Sequence, residues 1–131
     1  MPLVWHANHL ITKRYDFESA HFLPRVPEGH RCKRLHGHGY AIEITLAGVP
    51  GEDGLIMDFW DLDKIVQPII DSVDHRCLND IAGLENPTAE LISGWFWEKI
   101  ETILDHPEAP YHLHEIKVYE TPTCCAILRK A

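Results

Sequence analysis

Three histidines and one cysteine are the residues of this 131-residue chain with the most evident chemistry. His36 and His38 flank Gly37 shortly after Cys32, and His21 lies on an earlier segment. Three imidazoles with one open coordination position are a ligand set of catalytic zinc. The spacing therefore predicts a zinc site formed by His21, His36 and His38.

The two close histidines begin a stretch in which apolar residues alternate with small or polar ones, as in a half-buried β-strand. They share their parity with four later residues, Tyr40, Ile42, Ile44 and Leu46. His21 ends an earlier alternating stretch behind Tyr15 and Phe17, so we expect its ring to point inward as well. Any one of these histidines is compatible with a core imidazole bonded to backbone, but the three together favour a metal ion.

Cys32 admits two roles. As a fourth ligand it would close a tetrahedral structural zinc site. As a free thiol beside Arg31 and Lys33 it would ionise readily, because positive neighbours and a nearby metal ion favour the thiolate. The pattern leaves both roles open and favours the second, which suits proton abstraction or nucleophilic attack.

Asp74 directly precedes His75 after a predicted helix. A carboxylate beside an imidazole orients the ring and raises its basicity, as in a proton-relay pair. Adjacency in sequence does not establish that the two side chains touch, so a solvated helix end is the alternative.

Glu120 has the parity of His114, Ile116 and Val118, so we expect its carboxylate at the inward end of a strand. A buried carboxylate needs partners. A ligand with two adjacent N–H donors, such as the amidine edge of guanine or pterin, would satisfy it, and an arginine of the protein is the alternative.

Composition limits the class of protein. The length predicts one domain, residues 1–131. A net charge of −8 opposes general binding to nucleic acid, which needs a basic surface. The longest apolar stretch, near residues 91–97, is too short to cross a membrane. The four cysteines are expected to be reduced thiols in a cytoplasmic protein.

One local cluster of positive charge contrasts with this acidic background. Its members are Arg25, Arg31, Lys33 and Arg34. The cluster lies beside the predicted zinc site in sequence, so it is either a solvated loop or a binding place for an anionic substrate.

The order of elements predicts an α+β fold. Strands are expected at 11–22, 37–48, 113–120 and 123–129. Helical spacing predicts one helix after Asp58 or Asp61, kinked or displaced by Pro68, and a second helix that begins near 86–88. These elements give a four-stranded antiparallel sheet with two helices on one face. Its open edges would need cover or pairing with another subunit.

Six ordered segments resemble the 6-pyruvoyl-tetrahydropterin synthase superfamily, and most closely its bacterial 6-carboxy-5,6,7,8-tetrahydropterin synthase branch of the queuosine pathway. They are FESAH at 17–21, CKRLHGH at 32–38, GLIMDF at 54–59, DHRCLN at 74–79, NPTAE at 86–90 and YET at 119–121. The resemblance spans about residues 12–129, and the residues before Leu10 have no counterpart.

This resemblance implies a T-fold, in which trimers close their sheets into a barrel and two trimers stack as a homohexamer with active sites between subunits. By position it also implies zinc binding by His21, His36 and His38, proton transfer by Cys32, Asp74 and His75, and pterin binding by Glu120 with help from Thr88.

The implied activity is that of a zinc-dependent lyase that converts 7,8-dihydroneopterin triphosphate to 6-carboxy-5,6,7,8-tetrahydropterin, acetaldehyde and triphosphate. The three residues between Cys32 and His36 resemble the carboxy branch, since the pyruvoyl branch has a longer gap. The alternatives are 6-pyruvoyl-tetrahydropterin synthase activity on the same substrate and a non-catalytic, zinc-stabilised pterin-binding module.

Overall fold

Four antiparallel strands in the order β1-β2-β3-β4 form one sheet, and two helices cover one of its faces. The computed structural model describes residues 8–104 and 108–131. The elements are β1 His9–His21, β2 His36–Gly48, α1 Phe59–Val73, α2 Ala89–Leu104, β3 Tyr111–Thr121 and β4 Cys124–Arg129. The α+β prediction is confirmed. The single-domain prediction includes residues 1–7 and 105–107, which lie outside the described part, and it stays a prediction.

The core lies between the helices and the sheet face that the alternation predicts. Strands β1 and β2 contribute Tyr15, Phe17, Ile42 and Ile44, all buried. Near the histidine end, the rings of Phe17 and Tyr40 stack with their centroids 4.9 Å apart. This stacked pair forms an apolar floor beside the histidines.

Strand β2 departs from the predicted half-buried pattern. Ala41, Thr45 and Ala47, which have the outward parity, are buried too. β2 lies between two long strands, and the Arg14 guanidinium lies 5.3 Å from the ring centroid of Tyr119, reaching over β2 from one neighbour to the other. Small residues in the middle of a sheet are covered by the larger side chains that flank them, and an alternation rule does not include this effect.

Two irregularities in β3 change the predicted parity. The pairing with β2 shifts between Thr45 and Leu46, so Leu113 rather than His114 enters the core. The expectation that His114 shares the buried face is therefore wrong. A second shift, in the pairing with β4, falls at Glu120. An extra residue in one strand re-aims the local side chain, and such bulges often occur beside active sites.

The helix starts follow capping chemistry. The Asp58 carboxylate accepts from Trp60 N at 2.8 Å and begins α1, which runs through Pro68 without starting or ending there. The Thr88 hydroxyl accepts from Leu91 N at 3.1 Å and begins α2. These side chains satisfy backbone donors that have no partner inside the helix.

The segment after α1 pairs with part of the β1 edge. His75 N donates to Glu18 O at 2.5 Å, and Ala20 N donates to Arg76 O at 2.9 Å. The segment therefore covers the end of β1 that carries His21. All four cysteines are free thiols. Among the described helices, none combines the length and the apolar character that a membrane crossing needs.

Candidate active site

The three predicted metal ligands meet where β1 ends and β2 begins. The antiparallel register places His21 opposite His36 and Ser19 opposite His38. One ring nitrogen from each histidine lies within 4.8 Å of the others. His21 is fully buried at the base of this cluster, and the other two rings are half-buried.

The spacing of two rings within this cluster fits tetrahedral zinc. Nε2 of His38 lies 3.3 Å from Nε2 of His21. Two nitrogens each about 2.05 Å from a tetrahedral ion are about 3.3 Å apart by simple geometry. The two rings are therefore already at the separation that a shared zinc ion requires.

Backbone carbonyls fix the rings. Nδ1 of His21 contacts Pro87 O at 2.9 Å, Nδ1 of His36 contacts Arg34 O at 2.6 Å, and Nδ1 of His38 contacts Gly39 O at 3.2 Å. A carbonyl only accepts, so each Nδ1 carries the proton and each Nε2 keeps a lone pair. This arrangement of a second partner behind each ring is typical of metal-binding histidines.

Electrostatics keep His21 in the metal-binding form. Burial lowers the pKa of His21, and the neighbouring His36 and His38 lower it further, against the opposing effects of Pro87 O and Glu120. A metal ligand must be neutral imidazole. The buried position therefore favours the protonation state that coordination needs.

Cys32 is tied by its backbone to the segment after His21 but is not a member of the histidine cluster. Among the described residues, the cluster consists of the three histidines alone. Cys32 sits half-buried in a one-turn 3₁₀ helix, Arg31–Lys33, and its carbonyl accepts from Leu23 N at 2.8 Å. That bond ties the turn to the chain two residues beyond His21.

The positive loop is partly engaged within the protein. The Lys33 ammonium contacts Glu28 at 2.6 Å and Val26 O at 3.2 Å. Three guanidinium side chains of the cluster belong to exposed residues, Arg25, Arg31 and Arg34. The anion-binding prediction therefore depends on the arginines more than on Lys33.

Asp74 and His75 do touch. Asp74 Oδ2 lies 3.0 Å from His75 Nδ1, and Asp74 Oδ1 accepts from Glu18 N at 2.9 Å. The Glu18 backbone bond is the main cause that lowers the pKa of Asp74, and the bond from Asp74 is the main cause that raises the pKa of His75. His75 adopts a left-handed backbone with φ of 56°. Such a conformation in a non-glycine residue persists only where surrounding contacts impose it.

His75 of this pair lies near the histidine cluster within the same chain. His75 and His38 both line one shallow depression on the sheet, together with Glu18 and two glycines. The Glu18 carboxylate lies 3.9 Å from His75 Nε2 and supports the positive form of the ring. These contacts hold Asp74 and His75 together at the protein surface.

Glu120 points toward the metal cluster. Its carboxylate lies 3.5 Å from Nε2 of His21, and its side chain is 35% exposed. The contact is with His21, so the arginine partner considered from sequence is not the one observed. Glu120 also lines a groove between the start of α2 and β4. Thr88, which caps α2, directly follows the Pro87 carbonyl that holds His21.

Tyr40 carries one of the two buried polar side-chain atoms without a hydrogen-bond partner in the described part of the chain. Its ring lies 4.3 Å from that of His38. Burial, and secondarily the charge of Glu120, raise the pKa of Tyr40, so its hydroxyl stays protonated. The sequence gives no signal for this unpaired hydroxyl, since Tyr40 has the pattern of an ordinary core aromatic residue.

Sequence reasoning also missed the residues that support the ligands. The Pro87 carbonyl and the Asn79 side chain both bond at the end of β1, yet backbone acceptors and cross-loop amides have no spacing pattern. Leu78-Asn79 and Asn86-Pro87-Thr88 appeared in the resembling segments, which was the one signal available.

Comparison with known proteins identifies the family. Residues 10–131 match the family model described as 6-pyruvoyl tetrahydropterin synthase. The 6-carboxy-5,6,7,8-tetrahydropterin synthase of Synechocystis sp. is 39% identical over 89% of this chain and 90% of that protein. The Bacillus subtilis protein of the same name is 32% identical over 91% of this chain and 84% of its own.

A solved structure shows the same fold. The Caenorhabditis elegans 6-pyruvoyl tetrahydropterin synthase aligns with a TM-score of 0.83 and 22% identity. The alignment covers 98% of this chain and 100% of that chain. The four-stranded sheet with two helices is therefore the T-fold subunit. This chain belongs to the 6-pyruvoyl tetrahydropterin synthase family, and the resemblance drawn from its sequence is confirmed.

Proposed function

We propose that this protein is a zinc-dependent 6-carboxy-5,6,7,8-tetrahydropterin synthase. It converts 7,8-dihydroneopterin triphosphate and water to 6-carboxy-5,6,7,8-tetrahydropterin, acetaldehyde and triphosphate, as a step of queuosine biosynthesis. The observation that carries the proposal is the cluster of three imidazoles, each fixed through Nδ1 and two of them at zinc spacing, in a chain 39% identical to a protein of that name.

The proposed reaction centre is the cluster of three histidines. His21, His36 and His38 would hold zinc, and the ion would supply Lewis-acid polarisation of a substrate hydroxyl group. The fit of the donor set supports zinc, because neutral imidazoles suit this ion and calcium or magnesium prefers oxygen ligands.

The remaining residues move protons and hold substrate. Cys32 accepts a proton from the substrate side chain, and the backbone bond from Leu23 N keeps its turn next to the end of β1. The Asp74–His75 pair transfers a second proton, with Asp74 holding the ring. Glu120 accepts two N–H bonds from the pterin, with help from Thr88, and the exposed Arg31 and Arg34 bind triphosphate.

The active form is proposed to be a homohexamer of two trimers. Pairing between subunits would use β4 and the start of β1, which have no strand partner on their outer sides within the described part of the chain. Active sites would then lie at subunit interfaces, where Asp74 and His75 would serve a site whose zinc and Cys32 belong to a neighbouring subunit. A cytoplasmic location, and no role for nucleic acid or membrane, remain predictions from the sequence.

One assay tests the class, the metal and the product together. Purified protein is incubated with 7,8-dihydroneopterin triphosphate, with and without a chelator, and the products are identified by mass. Formation of the carboxylated pterin that stops with chelator and returns with zinc supports the proposal. A pyruvoyl product would move the protein to the other branch, and zinc binding without any turnover would favour the non-catalytic binding module.

A further inference from the structure

We propose that Asn79 is a positioning residue of the metal site, which ties the strand end that carries His21 to the loop that orients the His21 ring. The inference rests on the metal site of the proposed function. It assigns a role to a side chain that contacts neither substrate nor metal.

The Asn79 carboxamide pairs with the backbone directly after His21. Its Oδ1 accepts from Phe22 N at 3.0 Å, and its Nδ2 donates to Phe22 O at 2.8 Å. One side chain thus satisfies both backbone groups of Phe22, as a neighbouring strand would do. The main chain of β1 is fixed at the point where the buried ligand leaves the strand.

The same amide reaches the loop that holds the ring. Asn79 Nδ2 also donates to Glu85 O at 3.3 Å, and two residues later Pro87 O accepts from His21 Nδ1 at 2.9 Å. The buried side-chain oxygen of the intervening Asn86 has no partner, so it does not provide this attachment. Asn79 therefore sets the distance between the strand end and the carbonyl that determines the His21 tautomer.

Asn79 is itself held on a rigid base. It lies in the one-turn 3₁₀ helix Leu78–Asp80, and the side chain of Leu78 is fully buried in the core. Cys77, just before this turn, pairs with Ala20 of β1 in a parallel bridge. The amide is thus presented from an element that is registered against the same strand.

Only an amide meets the three bonds together. The position needs one acceptor for Phe22 N and donors for two carbonyl oxygens. A carboxylate of the same shape keeps the acceptor and places a second oxygen against those carbonyls. Asn79→Asp therefore repels both the strand end and the loop while changing the volume very little.

The test measures zinc affinity and the His21 tautomer. Zinc affinity is obtained by competition with a chromophoric chelator, at a temperature where each variant is folded. The tautomer is read from the ¹⁵N shifts of His21 in metal-free protein. We expect Asn79→Asp to weaken zinc binding about 10- to 100-fold and to mix the two tautomers, as changes behind metal-binding histidines generally do.

Asp63→Asn is the matched control. Asp63 also joins a distant element to β1, through hydrogen bonds to Lys13 and Tyr15 of that strand. This reciprocal amide–acid exchange should lower the melting temperature while leaving zinc affinity and the His21 shifts unchanged. An equal loss of zinc affinity in both variants would overturn the proposal, because the effect would then follow general stability.

A milder variant keeps the test decisive if Asn79→Asp does not fold. Asn79→Ser retains a short polar group that reaches fewer of the three partners, so an intermediate loss of zinc affinity is expected. Zinc affinity within twofold of the wild type in this variant, with His21 in a single tautomer, would also overturn the role. If the wild-type protein binds no zinc, the proposed function fails, whereas the metal-free His21 shifts still test Asn79.

Discussion

Two polar clusters on β1 differ in whether their groups satisfy one another. At the far end of the sheet, the Asp63 carboxylate accepts from Lys13 Nζ and from Tyr15 Oη, both at 2.7 Å. Donors and acceptors match, so this cluster is complete within the protein. It fixes α1 to β1 and needs no ligand.

The histidine cluster has the opposite property. Each ring uses Nδ1 on a backbone carbonyl, the Nε2 atoms of His21 and His38 lie 3.3 Å apart, and His36 has a ring nitrogen within 4.8 Å of the other two rings. Lone pairs that converge without a donor are unfavourable unless a cation joins them. A binding site is therefore recognised by the polar groups that still lack a partner after the protein has formed its own hydrogen bonds.

The largest expected effect follows from removal of a ligand. His38→Ala should abolish zinc binding, because two imidazoles remain where three are needed. Zinc at about one hundred times its dissociation constant should stabilise the wild type by about 2.7 kcal/mol and leave His38→Ala unaffected. Calorimetric melting with and without zinc, beside metal analysis, measures both effects. If zinc stabilised the wild type and His38→Ala equally, the histidine cluster would not be the zinc site, and its contrast with the Asp63 cluster would fail.

Cys32→Ala tests whether Cys32 belongs to the zinc-ligand set. If Cys32 is a proton acceptor outside the ligand set, turnover should fall about 10²- to 10⁴-fold while zinc content stays at the wild-type level. Steady-state kinetics and metal analysis on the same preparation give the answer. Loss of zinc in this variant would instead assign Cys32 to a closed structural site.

The complete cluster should behave as a purely structural element. Asp63→Asn should lower the free energy of unfolding by about 1 to 2 kcal/mol, since hydrogen bonds to a charged group are lost at a partly exposed position. Urea unfolding measures this change. Zinc content and turnover serve as the control, and a fall in either would show that the far cluster communicates with the site.

The stabilising contribution of the Asp63 carboxylate should be lost at low pH. The bond from Lys13, and then that from Tyr15, depress the pKa of Asp63. A group with a depressed folded pKa stabilises above its unfolded value of about 3.9, and this contribution is lost as pH falls through the folded value. Unfolding free energies of the wild type and Asp63→Asn should therefore converge on acidification below about pH 4. A constant difference between them down to pH 2 would contradict the assignment.

The smallest effect concerns the Asp74–His75 pair. Asp74 raises the pKa of His75, so the ring should titrate above the usual value of about 6.5, and Asp74→Asn should move the midpoint down. Because the folded pKa is raised, this pair stabilises the fold below the unfolded pKa and ceases to do so as pH rises through the folded value. An NMR titration of His75 in both proteins measures the midpoints. Identical midpoints would show that Asp74 does not influence the pKa of His75.

The sequence predicts side-chain orientation within a single strand better than features that depend on neighbouring strands. The inward parity of His21 behind Tyr15 and Phe17 was correct because period-two alternation is a local property of the chain. The parity of His114 failed because a bulge depends on the partner strand. The burial of Ala41 was missed because long side chains from two other strands provide the cover.

By itself, the sequence determined the types of chemical group and their order: three imidazoles, a thiol, an Asp-His dipeptide and the alternation that gives each imidazole the parity of the apolar residues in its strand. These follow from side-chain chemistry and backbone period, which neighbouring residues express directly. Tertiary structure alone decided that His38 Nε2 lies 3.3 Å from His21 Nε2, and that Pro87 and Asn79 support His21. Such contacts join residues far apart in the chain, and their geometry exists only after the helices, loops and strands have packed.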